Sequence, residues 1–408
     1  MNILAPIWHR KWAVLDQLSF NATKIILNLL LVSDVGFSGF GLFALLVSIS
    51  AGIQSLLAGI FLEPITIFGS GREGSRYRYA GTIYTLFFSL AGIVLVFFAS
   101  PFVLAGQTSL VLFAVATAVH ALGYSAFGLS RRLFYLRNQS KRAFLLSCAY
   151  SLLVLMLVIA LRSSERYSEL SALCIMGGVS SIVGLVHWAG IKRLFGKAIR
   201  CSQKVMAKTD RYRKWSVAAV LPGVVSTQSV FWFGSIFASL EAIGVLRLVL
   251  QFGVPIVQFV TSLNSFELVR VSEKFSVLSV TEFTREIAGL RRFYLLIGGT
   301  YLLVVFPAAV FGLQYFGDFQ IQIGFLVMMV FAAIFVQIDN ISRNIVAKAS
   351  RNSRAVFWSH IFASIGIAGV APSSIWIGTW GLAVAMFIGA VLYAVTMRLQ
   401  IRRSNYTT

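Results

Sequence analysis

Apolar runs long enough to cross a bilayer recur along the whole of this 408-residue chain, and that recurrence restricts the fold more than any other feature. In lipid no water satisfies a backbone N–H or C=O, so only helices and closed barrels can span it. The runs here are continuous and lack a two-residue alternation, which selects helices. Composition agrees: 58% of residues are hydrophobic and 12% charged, against about 25% charged in a soluble globular domain. The expectation is an all-α polytopic membrane protein without strands. Twelve spans are predicted, at 12–33, 40–68, 80–100, 107–130, 143–161, 170–191, 215–238, 243–266, 293–313, 319–340, 355–372 and 375–397.

The formal net charge of +21 invites a nucleic-acid reading, but the placement of the charge argues against it. With those spans, all but four of the 35 Lys and Arg fall on one side of the membrane; Arg162 and Arg166 fall on the other, and Lys24 and Arg247 lie within spans. This is the positive-inside bias, which predicts cytoplasmic termini and cytoplasmic loops at 69–79, 131–142, 192–214, 268–292 and 343–354. Basic stretches at a membrane surface also favour anionic lipid head groups as partners. The apolar stretch from Trp12 reads as the first anchor and not as a cleaved signal, because no small-residue cleavage site follows it before Asp34. Cys148, Cys174 and Cys201 have neither zinc nor disulfide spacing, and no metal or cofactor is expected.

The first span carries a line of polar residues: Asp16 and Gln17, then Asn21, Lys24 and Asn28. At ~100° per residue, positions 17, 21, 24 and 28 fall within roughly a 60° arc, one face of the helix. An ionisable group at bilayer depth costs on the order of 2.5 to 3.5 kcal/mol, which drives such a face toward a bundle interior or an aqueous cavity. Lys24 lies near the middle or outer half of its span and Arg247 in the outer part of the eighth, and two in-span cations suggest an anionic cargo. The plainer alternatives are that Lys24 pairs with Asp16 or a backbone carbonyl and that Arg247 snorkels to the interface. Asp16, Glu63, Glu267 and Asp339 all fall near inner helix ends. They suit either salt bridges to Arg72, Arg270 or Arg343 that close a cytoplasmic mouth, or simple interfacial caps. Gln337, Asp339, Asn340, Arg343 and Asn344 form a second polar cluster, while His120, Tyr124 and His187 read as helix-contact residues.

The segment 192–214 holds nine Lys or Arg and one acid, Asp210, and divides the spans six and six. A shift of 203 residues lays Trp12 on Trp215 and Gly41 on Gly244; a shift of 204 lays Lys24 on Gln228, Gln54 on Gln258 and Glu63 on Glu267. Two parallel six-helix repeats would give such a shift. The expected organisation is an N-terminal lobe at 1–194, a basic cytoplasmic linker at 195–214 and a C-terminal lobe at 215–408. Gly36 and Gly39 are placed for a tight outer turn, Pro64 for a frayed inner helix end, and 271–292 for an amphipathic segment on the inner surface.

An enzymatic role finds no support in the residues. External loops are too short for a lumenal active site, and there is no Walker-type phosphate loop and no paired His or Cys.

Trp12-Ala-Val-Leu-Asp16-Gln17 with Asn21 and Asn28, then Gly39-Phe-Gly41-Leu-Phe and Leu62-Glu63-Pro64, resembles the start of the polysaccharide repeat-unit flippases of the MOP (MATE-like) superfamily, the group of O-antigen and capsule exporters. Gly244-Val-Leu-Arg247-Leu-Val-Leu-Gln251-Phe-Gly-Val-Pro255 is similar to that family's eighth helix. The resemblance implies two lobes around a central cavity in the bacterial inner membrane. It implies flipping of a polyprenyl-diphosphate-linked oligosaccharide by alternating access. Gln17, Asn21, Lys24, Asn28, Arg247 and Gln251 would then hold the cargo, with Lys24 and Arg247 at the diphosphate. Polysaccharide polymerase and glycosyltransferases would be functional partners, and the alternative is a MATE-type antiporter exporting small amphiphilic molecules.

Overall fold

The computed structural model describes residues 11–62, 65, 74–105, 109–137, 139–187, 195–208, 210–275, 280–316, 323–349 and 353–405. Among them there is no strand, and the protein is a multi-pass membrane protein of α-helices. In chain order these are α1 (Lys11–Leu57), α2 (Gly74–Leu104), α3 (Leu110–Leu136), α4 (Ser140–Ser163), α5 (Glu169–Gly184), α6 (Phe195–Lys208), α7 (Asp210–Phe237), α8 (Leu240–Phe275), α9 (Val280–Phe316), α10 (Ile323–Ala349), α11 (Ser353–Val370) and α12 (Thr379–Asn405).

Ten helices among the described residues are long and apolar enough to cross a membrane. The first of them, Leu15–Leu62, contains two predicted spans, and the apolar α5, at 16 residues, supplies the remaining one. The predicted twelve are thereby accounted for. Gly36 separates the two spans of α1 with φ 67° and ψ −177°, a conformation that a Cβ would strain. Gly39 serves differently: a Cβ there would meet Val35 at 2.8 Å and Glu169 Oε1 at 2.9 Å, so its contribution is space. At the inner end, Ala58–Leu62 winds as a π-helix; Glu63 and Pro64 lie outside the described residues.

The chain divides into two compact units, Met1–Leu221 and Pro222–Thr408. The division falls within α7, and α6, in the expected linker, is a helix packed on α2 of the first unit. The segment expected to lie on the inner surface at 271–292 is organised differently. From Val280 onward it is the beginning of α9, a single 37-residue helix that continues into the span. No proline interrupts it before Pro307, and Gly289, Gly298 and Gly299 do not stop a helix whose backbone must be satisfied on entering lipid.

In unit 1, α3 packs on α2 and α5, while α1 packs on α4 and α3. The α3–α5 contact is close because glycines meet there: a Cβ on Gly177 would come 2.6 Å from the Val119 carbonyl oxygen and 2.7 Å from His120 Cα. Small residues permit such backbone approach, which drives helix association in lipid where the hydrophobic effect does not. Tyr150, Phe127 and Phe20 fill the space between α1, α3 and α4, with ring centroids 5.0 to 5.4 Å apart. In unit 2, α12 packs on α10 and α11, and α10 on α8 and α9. Large apolar side chains such as Phe97, Phe98, Leu303 and Val304 point outward, as expected of a surface whose solvent is lipid.

Candidate functional site

The polar line of the first span belongs to two adjoining faces of α1. On one face Asp16 is completely buried. Its carboxylate accepts hydrogen bonds from Arg131 Nε at 3.1 Å and Nη2 at 2.5 Å, from the Tyr135 hydroxyl and from the Ser147 hydroxyl. Arg131 and Tyr135 stand one turn apart on α3, and Ser147 is on α4, so one carboxylate ties three helices together. Four donors directed at a single anion compensate for its removal from water. Asp16 and all these partners lie within unit 1.

The second face carries Gln17, Asn21, Lys24 and Asn28. Lys24 Nζ lies 4.2 Å from the Phe20 ring centroid and 5.1 Å from that of Tyr124. The Phe20 ring also has the Arg131 guanidinium 5.1 Å from its centroid, so one ring serves two cations. Tyr124 joins a further set: its hydroxyl is 2.8 Å from that of Tyr150, and its ring is 4.3 Å from the His120 ring. His120 Nδ1 is 2.7 Å from Ser50 Oγ, which accepts from Gln54 Nε2 at 2.9 Å. Lys24 is thus adjacent to a polar and aromatic group drawn from α1, α3 and α4.

Asn21 and Asn28 flank Lys24 and are only 4% and 5% exposed. Among the described residues neither side-chain amide has a hydrogen-bond partner. The same holds for Gln251 on α8, 4% exposed. Gln251 stands one turn from Arg247, whose guanidinium is 5.4 Å from the Phe231 ring centroid. The amide atoms of these three residues are not among the fully buried polar atoms that lack a partner, so each keeps some accessible surface. Three such amides, beside the two in-span cations, are groups to which a ligand rich in hydroxyl and phosphate oxygens could bind.

In unit 2, Asp339 is held by both Arg291, through Nε and through Nη2 at 3.3 Å, and Arg343, through Nε at 3.0 Å and Nη2 at 2.7 Å. Arg343 was an expected partner; Arg291, on α9, was not. Asn340 donates to the Ala390 carbonyl at 3.2 Å, and the Tyr393 hydroxyl donates to Asn344 Oδ1 at 2.5 Å. His360 Nδ1 lies 2.6 Å from Ser226 Oγ. Glu63 and Arg72 lie outside the described residues, as do the side chains of Glu267, Arg270 and His187. At the other end of unit 1, Arg162 bridges to Asp34 at 3.0 Å and donates to Ser33 Oγ at 3.2 Å. Among the described residues no group of three or more His, Cys, Asp or Glu could hold a metal ion.

Sequence reasoning named Gln17, Asn21, Lys24, Asn28, Arg247 and Gln251; it read Tyr124 only as a helix-contact residue and Gln54 only as a repeat position, and did not single out Phe20, Ser50 or Arg131. Tyr124 and His120 carried one available signal, polar aromatic groups four residues apart in an otherwise uncharged span. Arg131 carried none, since a cation at a span boundary reads as an ordinary topological anchor.

No protein-family model and no curated protein matches the sequence. Solved structures do match it over almost its whole length. An inward-facing multidrug-resistance MATE transporter of the MOP superfamily aligns with TM-score 0.68 at 14% identity, covering 98% of this chain and 96% of its own. The eukaryotic MATE transporter AtDTX14 gives 0.67 at 14%, covering 98% and 97%. The lipid II flippase MurJ in an inward closed conformation gives 0.65 at 12%, covering 97% and 87%. The fold is that of MOP-superfamily transporters.

Proposed function

We propose that this MOP-type fold flips polyprenyl-diphosphate-linked oligosaccharide repeat units across the bacterial inner membrane by alternating access. The observation that carries the reading is that amides without a hydrogen bond among the described residues accompany the in-span cation of each unit, Asn21 and Asn28 flanking Lys24 in the first and Gln251 one turn from Arg247 in the second. Sugar hydroxyls donate to or accept from an amide and phosphate oxygens accept from its N–H groups, whereas an ammonium and a guanidinium offer charge-assisted bonds to a diphosphate. Gln17 extends the same face by one turn. Lys24 Nζ lies against the rings of Phe20 and Tyr124, which hold its ammonium on the same helix face as Asn21 and Asn28.

Asp16, Asp339 and Arg343 act, in this reading, as tethers that keep helices of one unit together while the units change their relation during transport. Flipping needs no covalent chemistry, and the protein is proposed to be a transporter without a cofactor. Its partners are the lipid-linked oligosaccharide, anionic membrane lipids and, functionally, the glycosyltransferases and polymerase that precede and follow it. The charge asymmetry of the sequence supports cytoplasmic termini.

The likeness to MATE transporters favours a second reading, export of small amphiphilic molecules in exchange for an ion. One experiment separates the two. Deletion in a background lacking paralogues should trap lipid-linked repeat units on the cytoplasmic face. Unchanged outer-leaflet exposure of those units would remove the flippase reading, and raised drug sensitivity alone would favour the exporter.

A further inference from the structure

Helix α6 lies between the two six-span halves and is folded onto unit 1. Its residues Cys201, Ser202 and Val205 are buried, Val205 packs with Tyr77 and Ala80 of α2, and the Tyr84 hydroxyl donates to the Ser202 carbonyl at 3.4 Å. At ~100° per residue those three buried positions fall in roughly a 100° arc. The opposite arc holds Ile199, Arg200, Gln203, Lys204 and Ala207, every one of them exposed. The sequence places the span of α2 at 80–100 with its inner end at Ala80, and α6 packs on α2 beside that end, against Tyr77 and Ala80.

The same end of unit 1 is basic beyond α6. Arg76 in the first turn of α2 and Arg137 and Arg142 at the α3–α4 turn are exposed. Burial of part of the Arg137 side chain, and then the charge of Arg78, hold its guanidinium below the ordinary arginine value. The outward face of α6 therefore stands in a positive field, beside the predicted inner end of the α2 span. Ile199 at one edge of the exposed arc suits the acyl boundary, while Arg200 and Lys204 at the other suit the head groups.

We propose that the outward face of α6, through Arg200 and Lys204, is a docking surface for the head groups of anionic phospholipids, which hold the helix in the membrane interface with its Cys201 face against α2. The bilayer surface is then a third element of the α6 packing, after Tyr77 and Val205. Each interfacial cation contributes about a five-fold preference for an anionic surface, so the pair contributes about twenty-five-fold.

The test uses the full chain carrying Cys148→Ser, Cys174→Ala, Cys201→Ser and Gln203→Cys, with a fluorophore at residue 203. It is reconstituted in vesicles of phosphatidylcholine alone or mixed with phosphatidylglycerol, each with a head-group-attached quencher. Quenching should be several-fold stronger with phosphatidylglycerol, fall as salt is raised, drop to the phosphatidylcholine level in Arg200→Gln/Lys204→Gln, and be retained in Arg200→Lys. A companion chain that keeps only Cys201 reports docking: the thiol should resist maleimide in the parent and in the double glutamine variant. If it reacts in the double variant, Lys204→Gln alone replaces it as the comparison. Equal quenching in both lipids would overturn the proposal, as would a double variant indistinguishable from its parent. Protection of residue 203 from an aqueous quencher without phosphatidylglycerol would overturn it too, by identifying a different occupant.

Discussion

Arg131 Nη2 lies 2.5 Å from Asp16 Oδ2, while the same guanidinium sits 5.1 Å from the Phe20 ring that also carries Lys24. The ion pair and Lys24 are therefore neighbours through one aromatic side chain.

Removing one half of the ion pair should cost far more than removing both. Arg131→Ala leaves a fully buried carboxylate with only hydroxyl donors, and loses on the order of 3 to 5 kcal/mol. The double variant Asp16→Asn/Arg131→Gln should recover much of that. Thermal unfolding of detergent-purified protein measures both, and an Arg131→Ala protein as stable as wild type would contradict the tether assignment.

Lys24 separates charge from packing. Lys24→Arg should retain much of the transport, Lys24→Ala lose most of it, and Lys24→Glu do worse than alanine by repelling phosphate. All three are compared at matched membrane abundance with a lipid-linked oligosaccharide exposure assay. Equal transport by the alanine and glutamate variants would take Lys24 out of the binding site.

The partnerless amides predict an opposition between stability and transport. Asn21→Leu, Asn28→Leu and Gln251→Leu each remove an amide that makes no hydrogen bond to the described residues, so unfolding midpoints should hold. Transport should fall in the same proteins. A destabilised Asn28→Leu protein with intact transport would show that the amide serves packing.

Arg162→Ala removes an exposed ion pair with Asp34, and should change stability by less than about 1 kcal/mol, with the loss vanishing at high salt. The measurement is the unfolding midpoint at two ionic strengths.

Topology is checked one loop at a time. Single cysteines in 69–79, 131–142, 192–214, 268–292 and 343–354 should react only with reagents admitted to the cytoplasm, and one in the turn at Gly36 only from outside. External labelling within 192–214 would break the twelve-span reading.

Hydrophobic run length and helical spacing were enough to place the spans, because a bilayer permits so few backbone solutions. The face shared by residues 17, 21, 24 and 28 was legible for the same reason, since helical geometry is local. The partners of Asp16 were not. Arg131 and Ser147 are 115 and 131 residues away in sequence, and nothing near Asp16 encodes which distant donor will reach it. Both structural arginines, Arg131 and Arg291, counted as topological anchors because a cation at a span boundary looks the same whether it meets a head group or folds back onto a carboxylate. The α6 helix was hidden differently: its basic residues announced a linker, whereas its docking depends on a short apolar edge, Cys201 and Val205, that a charge count passes over.

The ring of Phe20 leaves position 20 constrained from two directions at once. A substitution chosen to strengthen the lysine contact, such as tryptophan, also alters the contact with Arg131 and through it the tie among α1, α3 and α4. Effects at position 20 should therefore be non-additive with changes at either residue 24 or residue 131. On the proposed function, drift in cargo preference through this position would be coupled to the thermal tolerance of the lobe, an epistasis that ties specificity to robustness.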